Sequence, residues 1–274
     1  MEMHSHEQIG TYSIALYSGD NNKNVIAKRW LGTKKDASYM WLKNEINAYK
    51  LLNQKDNTGS IRIPKLIKVI ETKNSLIMLI EYIKASNIAD LSVKNKVDAY
   101  LSILEFMKKV DVSKTLEVVA KRGPLFWLAI LPIITIKAIL NYPTHMWIIM
   151  KGFLIAVLSA PFILARNKRC LVHRDLNDNN VFGNTKSLYL IDFELASIAD
   201  PMIDWAILFL KYSDNRSFLN TLKNTELGKK ILSNRNALST YIIIFAIYDL
   251  NFEKGLHILD LKLLSNLKRF GQLP

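Results

Sequence analysis

The chain has 274 residues, half of them hydrophobic, and its 37 Lys and Arg against 24 Asp and Glu give a formal net charge of +13. This composition excludes a disordered chain and leaves room for one two-lobed domain or two small ones. The charge suits an anionic membrane surface or a phosphorylated ligand. No arginine-rich block, zinc-finger spacing or aromatic RNA-binding signature is found, so no nucleic acid is expected as a partner.

The first eighty residues are expected to form a small antiparallel sheet with one helix. Two β-branched runs, Tyr12–Tyr17 and Val25–Lys28, flank a turn over 18–22 rich in Gly, Asp and Asn, which predicts a hairpin. A helix is predicted over Ala37–Leu52, and a second strand pair over Ile61–Ile70 and Ser75–Tyr82. The residues of the helix expected to face the core are Met40, Ile46, Leu51 and Leu52.

After Ser86 the pattern turns helical and stays so to Met107. The predicted order of elements is strands, one helix, more strands and then mostly helices. This order indicates a small mixed lobe followed by a larger helical one. The predicted division is an N-lobe over 1–83 and a helical C-lobe over 84–274, which is an α+β fold.

The stretch 125–165 is unusually apolar. Leu125–Leu140 and Met146–Ala165 form two apolar runs around the turn 141–145, with basic residues on the outer flanks and Lys137 and Lys151 near the turn. Two interpretations stay open. The runs form either a helical hairpin that dips into a membrane from the cytoplasmic side, or a pair of core helices; Pro132 and the shortness of the first run favour the core.

Two segments, 171–182 and 188–194, carry residues suited to phosphoryl transfer. They contain the pattern His-x-Asp-x4-Asn followed by an aspartate that closes an apolar strand, at His173, Asp175, Asn180 and Asp192. A carboxylate such as Asp175 can orient an attacking hydroxyl and accept its proton. Mg²⁺ prefers oxygen ligands, which Asn180 and Asp192 offer.

These segments resemble the catalytic and metal-binding loops of the protein-kinase-like superfamily. The likeness is narrower to the aminoglycoside phosphotransferase and choline kinase family, because Asp192-Phe-Glu194 replaces the Asp-Phe-Gly of protein kinases. It continues into Asp200-Pro-Met-Ile-Asp204-Trp-Ala, a run typical of small-molecule kinases, while an activation loop and an Ala-Pro-Glu motif are not found. The resemblance implies a two-lobed kinase-like fold that binds ATP and Mg²⁺.

The resemblance also implies a role for single residues. Asp175 would be the catalytic base, and Asn180 and Asp192 the metal ligands. Lys28 would hold the phosphates and Glu45 would orient it, while Glu81 and Ile83 fall where the family's inter-lobe hinge offers backbone groups to adenine. His173 and Asp204 would support the catalytic loop.

The chain departs from the family's pattern in its first strands and in its middle. It has no Gly-x-Gly-x-x-Gly, and only Gly10 could form a turn over the phosphates. The segment before that turn is short, and the apolar insertion over 125–165 is longer than the family usually shows. This insertion leaves the class of acceptor open.

The expected function is therefore ATP- and Mg²⁺-dependent transfer of the γ-phosphate to a hydroxyl of a small molecule or of a lipid- or glycan-linked acceptor. Alternatives are a pseudokinase or nucleotide-binding scaffold at the membrane, a protein Ser/Thr kinase, and a membrane protein with an accidental motif. The single cysteine, Cys170, and the lack of a secretory signal favour the cytoplasm, with attachment to the inner face of the cytoplasmic membrane through 125–165 as the open variant.

Overall fold

The computed structural model describes residues 2–9, 12–18, 24–32, 34–54, 59–113, 119–166 and 168–251. Gly10, the predicted phosphate-covering turn, lies outside these residues. The chain divides into two compact units, one of Met1–Ala120 with Asp175–Ser197 and the other of Lys121–Arg174 with Ile198–Pro274. The predicted division into an N-lobe over 1–83 and a C-lobe over 84–274 stays a prediction.

The strands are β1 (Glu2–Ile9), β2 (Tyr12–Ser18), β3 (Asn24–Leu31), β4 (Ile61–Arg62), β5 (Leu66–Glu71), β6 (Ser75–Glu81), β7 (Cys170–Val172), β8 (Val181–Asn184), β9 (Ser187–Leu190) and β10 (Ser197–Ala199). The helices are α1 (Ala37–Leu52), α2 (Val93–Lys108), α3 (Pro124–Asn141), α4 (Met146–Leu158), α5 (Ala160–Leu164), α6 (Met202–Lys211), α7 (Arg216–Asn224), α8 (Glu226–Leu232) and α9 (Arg235–Asp249). The α+β class predicted from the sequence is confirmed.

The first unit is built on an antiparallel sheet of five strands in the order β1-β2-β3-β6-β5. The predicted hairpin is confirmed, since β2 pairs with β3 and Ile14 lies opposite Lys28. The predicted strand over 61–70 splits at Pro64, whose missing N–H interrupts a ladder. Its first part, β4, pairs in parallel with β9, and only its second part, β5, pairs with β6.

Helix α1 packs against this sheet through one apolar stripe. Tyr39, Leu42, Ile46 and Tyr49 recur at the three- and four-residue spacing of one helix face, and all are buried. Burying a side chain such as Leu42 contributes about 1.5–3 kcal/mol. The expectation that Met40 faces the core is wrong: it lies one position off the stripe and is 57% exposed.

The second unit is helical and is centred on α9. Ten of the fifteen residues of α9 are buried, and α3, α4, α5 and α6 all pack against it. The two predicted apolar helices are confirmed, but the second run breaks at Ser159 into α4 and α5. Pro161 explains the break, because its ring would clash with the carbonyl of Val157 in a continuous helix.

Helix α3 buries five of its 18 residues and α4 three of its 13. Among the described residues, α3 alone has the length and composition to cross a membrane, and most of its residues are not buried within the protein. The core pair and the membrane-dipping hairpin both stay predictions.

Candidate active site

A β-hairpin in the first unit brings the two predicted metal ligands to one end. β8 and β9 are antiparallel, so Asn180, just before β8, and Asp192, just after β9, emerge together. The amide of Ile191 donates to the carbonyl oxygen of Asn180 at 3.0 Å, which ties the two segments together. Gly183, within β8, has φ +108°, and a β-carbon at this position would collide with the carbonyl oxygen of Ser187.

The predicted catalytic base lies against this hairpin end. The side-chain amide of Asn180 donates to Asp175 Oδ2 at 3.0 Å and to its backbone carbonyl at 2.8 Å. Asn177 donates to the other carboxylate oxygen, Asp175 Oδ1, at 3.1 Å. Two amide donors thus fix the rotamer of Asp175. The nitrogen of Asn180 faces this carboxylate, so the carbonyl oxygen of its amide is the atom suited to a cation.

Lys28 is surrounded by three carboxylates. It lies on β3, and its ammonium is 2.9 Å from Glu45 Oε2 on α1 and 3.4 Å from Asp192 Oδ1. It also forms an ion pair with Glu194. The structure therefore brings Lys28, Glu45 and Asp192 together, and it adds the carboxylate of Glu194, to which the sequence interpretation had assigned no role.

The electrostatics of this cluster are dominated by an excess of negative charge. Burial raises the pKa of Glu45 to about 7, against the attraction of Lys28. Burial lowers the pKa of Lys28, but Glu45, Asp192 and Glu194 outweigh it, and the pKa of Lys28 is raised well above its usual value. One ammonium facing three carboxylates leaves a surplus that a cation would offset.

The donor set fits a divalent cation. Carboxylate oxygens of Glu45, Asp192 and Glu194 lie within 4.8 Å of one another. They are hard oxygen donors of the kind that Mg²⁺ selects over softer ligands. The cluster thus includes Asp192, a predicted ligand, and Glu194; the other predicted ligand, Asn180, lies at the adjoining hairpin end.

Two backbone positions in this region adopt left-handed conformations. Within the described residues, Arg174 (φ +68°) and Asp192 (φ +62°) are the non-glycine residues with positive φ. The conformation costs about 1–2 kcal/mol per residue and persists where the surrounding contacts enforce it. Arg174 directly precedes Asp175, and the other position is Asp192 itself. The backbone strain therefore occurs at or next to residues whose side chains are predicted to act in the reaction.

His173 and Asp204 belong to the second unit. Asp204, in the first turn of α6, accepts hydrogen bonds from the amides of His173 (2.9 Å) and Arg174 (2.8 Å). Burial raises the pKa of Asp204, an effect that these two amide donors partly offset. The contacts restrain the chain immediately before Asp175, and the predicted supporting role of both residues stays a prediction.

The predicted hinge follows β6. Glu81 is the last residue of β6, and its amide donates to the carbonyl oxygen of Lys65 at 2.9 Å. The amide of Tyr82 donates to the carbonyl oxygen of Asn24 at 3.2 Å. Two of the segment's amides are therefore engaged within the sheet, while Ile83 lies beyond it and is half-buried.

Three residues at the site were not singled out from the sequence. Glu194 could have been noticed as an acid at the position where protein kinases have glycine. Asn177 caps the short helical turn over 178–180, a common place for asparagine. Asn44 donates to the carbonyl oxygens of Glu194 (2.9 Å) and Ala196 (2.8 Å) and thereby attaches the segment after Asp192 to α1.

Comparisons with known proteins agree with this geometry. The model of the phosphotransferase enzyme family, APH, matches residues 154–227, which include the predicted catalytic and metal-binding motifs. The resemblance predicted from these motifs is thus confirmed for the matched segment. No curated protein matches the chain.

Solved structures share the fold along nearly the whole chain. A thermostable mutant of aminoglycoside phosphotransferase APH(4)-Ia in its apo form is 13% identical with a TM-score of 0.72, over 98% of this chain and 94% of that one. A further variant of that mutant, solved in a ternary complex with AMP-PNP and hygromycin B, is 13% identical with a TM-score of 0.71, over 98% and 93%. Amicoumacin kinase hAmiN, in complex with AMP-PNP, Ca²⁺ and Ami, is 15% identical with a TM-score of 0.62, over 99% and 87%. The predicted kinase-like fold is confirmed.

Proposed function

We propose that this chain, whose residues 154–227 match a phosphotransferase family, transfers the γ-phosphate of ATP to a hydroxyl group with the help of Mg²⁺. The observation that carries the proposal is the arrangement of Lys28 against Glu45, Asp192 and Glu194 in the same unit as the Asp175–Asn180 pair. The solved relatives with AMP-PNP, one of them also with Ca²⁺, support a nucleotide and a divalent cation as ligands.

Asp175 orients the acceptor hydroxyl and takes its proton as the oxygen attacks the γ-phosphorus, while the bond from that phosphorus to the bridging oxygen breaks and ADP leaves. The two amide donors on its carboxylate, from Asn177 and Asn180, hold it in one orientation. Positioning and electrostatic stabilisation supply most of the rate in phosphoryl transfer, so a fixed carboxylate is the group that this reaction needs.

Lys28 offers its ammonium to the α- and β-phosphates, and Glu45 keeps the lysine side chain in place. Asn180 and Asp192 would hold Mg²⁺, with Glu194 as a further carboxylate within reach, and the ion would neutralise charge on the triphosphate. Backbone groups of the 81–83 segment, the carbonyl of Glu81 and the amide of Ile83, would receive the adenine.

The acceptor is proposed to be an alcohol on a sugar, an amino alcohol or a lipid- or glycan-linked molecule. A polycationic aminoglycoside fits poorly, because residues 206–274 carry ten Lys and Arg against five Asp and Glu. A basic surface repels a polycation much more strongly than an acceptor with a single amino group, and it favours acceptors that carry phosphate or carboxylate. The relatives solved with hygromycin B or amicoumacin support a small molecule in general terms.

A catalytically inactive nucleotide-binding scaffold is disfavoured by the set of residues present. Lys28, Asp175, Asn180 and Asp192 all occur in the sequence, whereas the loss of one is usual in such proteins.

The proposed phosphoryl transfer is tested by measuring transfer of ³²P from [γ-³²P]ATP to a panel of sugar, amino-alcohol and lipid-linked acceptors.

The proposal expects transfer by wild type and a loss of about 10²–10⁴-fold in kcat for Asp175→Asn, with nucleotide affinity retained. A matched control is Asp178→Asn, in the same loop, since Asp178 contacts Lys96 and Tyr100. Equal activity of Asp175→Asn and wild type would contradict the assigned base.

A further inference from the structure

The helices α3 to α5 expose an unusual amount of apolar surface. In the described part of the chain, twelve of the seventeen exposed large apolar side chains lie between residues 125 and 164. They are Leu125, Phe126, Ile133, Ile136, Leu140, Met146, Trp147, Leu154, Val157, Leu158, Phe162 and Leu164. These twelve side chains are referred to below as the outer apolar face.

Helices α3 and α4 each have a buried and an exposed apolar side, where a water-facing helix would have only the buried one. On α3 the inner stripe, with Trp127, Leu131 and Ala138, is buried, and the helix packs against α9. The outer stripe, with Ile133, Ile136 and Leu140, is 61–76% exposed. A helix on a water-facing surface normally carries polar residues on its outer side, so the outer stripe calls for an apolar partner.

The charge around this face has one sign. Between residues 121 and 170 the sequence has seven Lys and Arg and no Asp or Glu. Five of the basic side chains are exposed, at Lys121, Lys137, Lys151, Lys168 and Arg169. Apolar side chains surrounded by cations are complementary to a surface that is apolar inside and anionic at its rim, as an anionic bilayer is.

We infer that the outer apolar face lies in the interfacial layer of an anionic lipid bilayer. The helices rest on the membrane and do not cross it, because the inner stripe stays packed on α9. Helix α4, with 13 residues, is also too short for the roughly 30 Å of hydrocarbon. A second copy of the chain is the poorer partner, since a two-fold interface would place these two positive surfaces against each other. The inference does not depend on the proposed phosphoryl transfer.

The test is co-sedimentation of the full chain with phosphatidylcholine vesicles and with vesicles containing phosphatidylglycerol. We expect strong, salt-sensitive binding only to the anionic vesicles. The double variant Leu140→Gln with Leu158→Gln should bind at least about tenfold more weakly, since these side chains are 76% and 78% exposed and lose their burial in lipid. The control pair Leu31→Gln with Met40→Gln, exposed in the first unit, should bind as wild type does.

The basic residues are tested in the same assay. Lys151→Gln with Lys168→Gln should weaken binding about 25-fold, at about fivefold for each charge near an anionic surface. The charge-matched control, Lys223→Gln with Lys229→Gln, removes exposed lysines of α7 and α8. That pair should change binding less than about twofold.

Trp147 supplies a readout that does not depend on any loss of binding. It is 79% exposed, so its fluorescence should shift to the blue and be quenched by brominated lipid, and Trp147→Phe should abolish the response. No binding of the folded chain to anionic vesicles would overturn the inference. Vesicle binding that neither double variant weakens would also overturn the inference. A third contradicting result is a stable dimer, seen by light scattering, that forms without any binding to vesicles and dissociates in the double variant Leu140→Gln with Leu158→Gln.

Discussion

The ammonium of Lys28 lies 2.9 Å from the carboxylate of Glu45, in contact between the third strand and the first helix. The two residues are 17 positions apart, and the side chains of both are largely withdrawn from water. The two side chains are in contact because Lys28 lies on the face of β3 towards α1 and Glu45 lies on the face of α1 that packs against the sheet. It turns a strand lysine, which alone would extend into solvent, into a charge fixed at one place.

Removing either partner of this pair should impair nucleotide use. For Glu45→Gln we expect KM for ATP to rise and kcat/KM to fall about 10–100-fold, because Lys28 loses the carboxylate on α1 that holds it in place. This fall corresponds to a loss of about 1.4–2.7 kcal/mol of transition-state stabilisation. Lys28→Met should cost more, since it also removes the charge. Steady-state kinetics check both, with Lys34→Met as the control, whose ion pair with Glu71 is on the surface. Unchanged kinetics of Glu45→Gln would contradict the positioning role.

Stability should depend on pH through Glu45. Its pKa rises from 4.5 to about 7 on folding, so the folded state binds the proton more tightly than the unfolded state. The free energy of unfolding should therefore fall as the pH rises from 4.5 to 7, by up to about 3 kcal/mol at 1.36 kcal/mol per pKa unit. Urea unfolding between pH 5 and 8 measures this slope. It should be flatter in Glu45→Gln, and identical slopes in variant and wild type would refute the prediction.

The sequence predicted the order of elements better than their edges. Hairpin, helix and apolar helix pair follow from local periodicity, which short-range sterics and burial enforce. Pro64 splits a predicted strand whose halves join different sheets, and that pairing depends on β9, more than 120 residues further on. Met40 was misplaced because a one-residue error in phase turns a side chain by about 100° around a helix.

In the candidate site, too, the local features could be predicted from the sequence and the long-range contacts could not. Asp175, Asn180 and Asp192 were identifiable because their chemistry and spacing are local, and a β-hairpin must bring its two ends together. The ion pair of Glu194 with Lys28 could not be read from the sequence, because it depends on the loop after Asp192 being fixed by Asn44, 150 residues earlier. Contacts of such long separation are set by tertiary packing.

Glu194 should matter for the metal requirement. The carboxylates of Glu45, Asp192 and Glu194 lie together, so removing one charge weakens the attraction for a divalent cation. For Glu194→Gln we expect the Mg²⁺ concentration at half-maximal activity to rise about tenfold, which corresponds to about 1.4 kcal/mol. Titration of Mg²⁺ at fixed ATP checks this. An unchanged requirement would show that Glu194 serves Lys28 and not the cation.

Asp204 should stabilise the fold through two amides. Asp204→Ala leaves the N–H groups of His173 and Arg174 without their buried acceptor. Each buried donor left unpaired costs about 1–3 kcal/mol, so we expect a loss of about 2–5 kcal/mol in urea unfolding. Asp214→Ala, at an exposed position of the same unit, is the control and should change stability by less than about 0.5 kcal/mol. A loss for Asp204→Ala no larger than for this control would contradict the assignment.

The central claim is a Mg²⁺-dependent nucleotide site, and thermal unfolding with ATP tests it most directly. Wild type and Asp192→Asn are each melted with ATP alone and with ATP and Mg²⁺. Nucleotide at about a hundred times its dissociation constant stabilises the folded state by about 2.7 kcal/mol, a shift of several degrees. The account predicts a Mg²⁺-dependent rise in Tm for wild type that Asp192→Asn lacks. A well-folded wild type whose Tm does not respond to Mg²⁺ and ATP would contradict it.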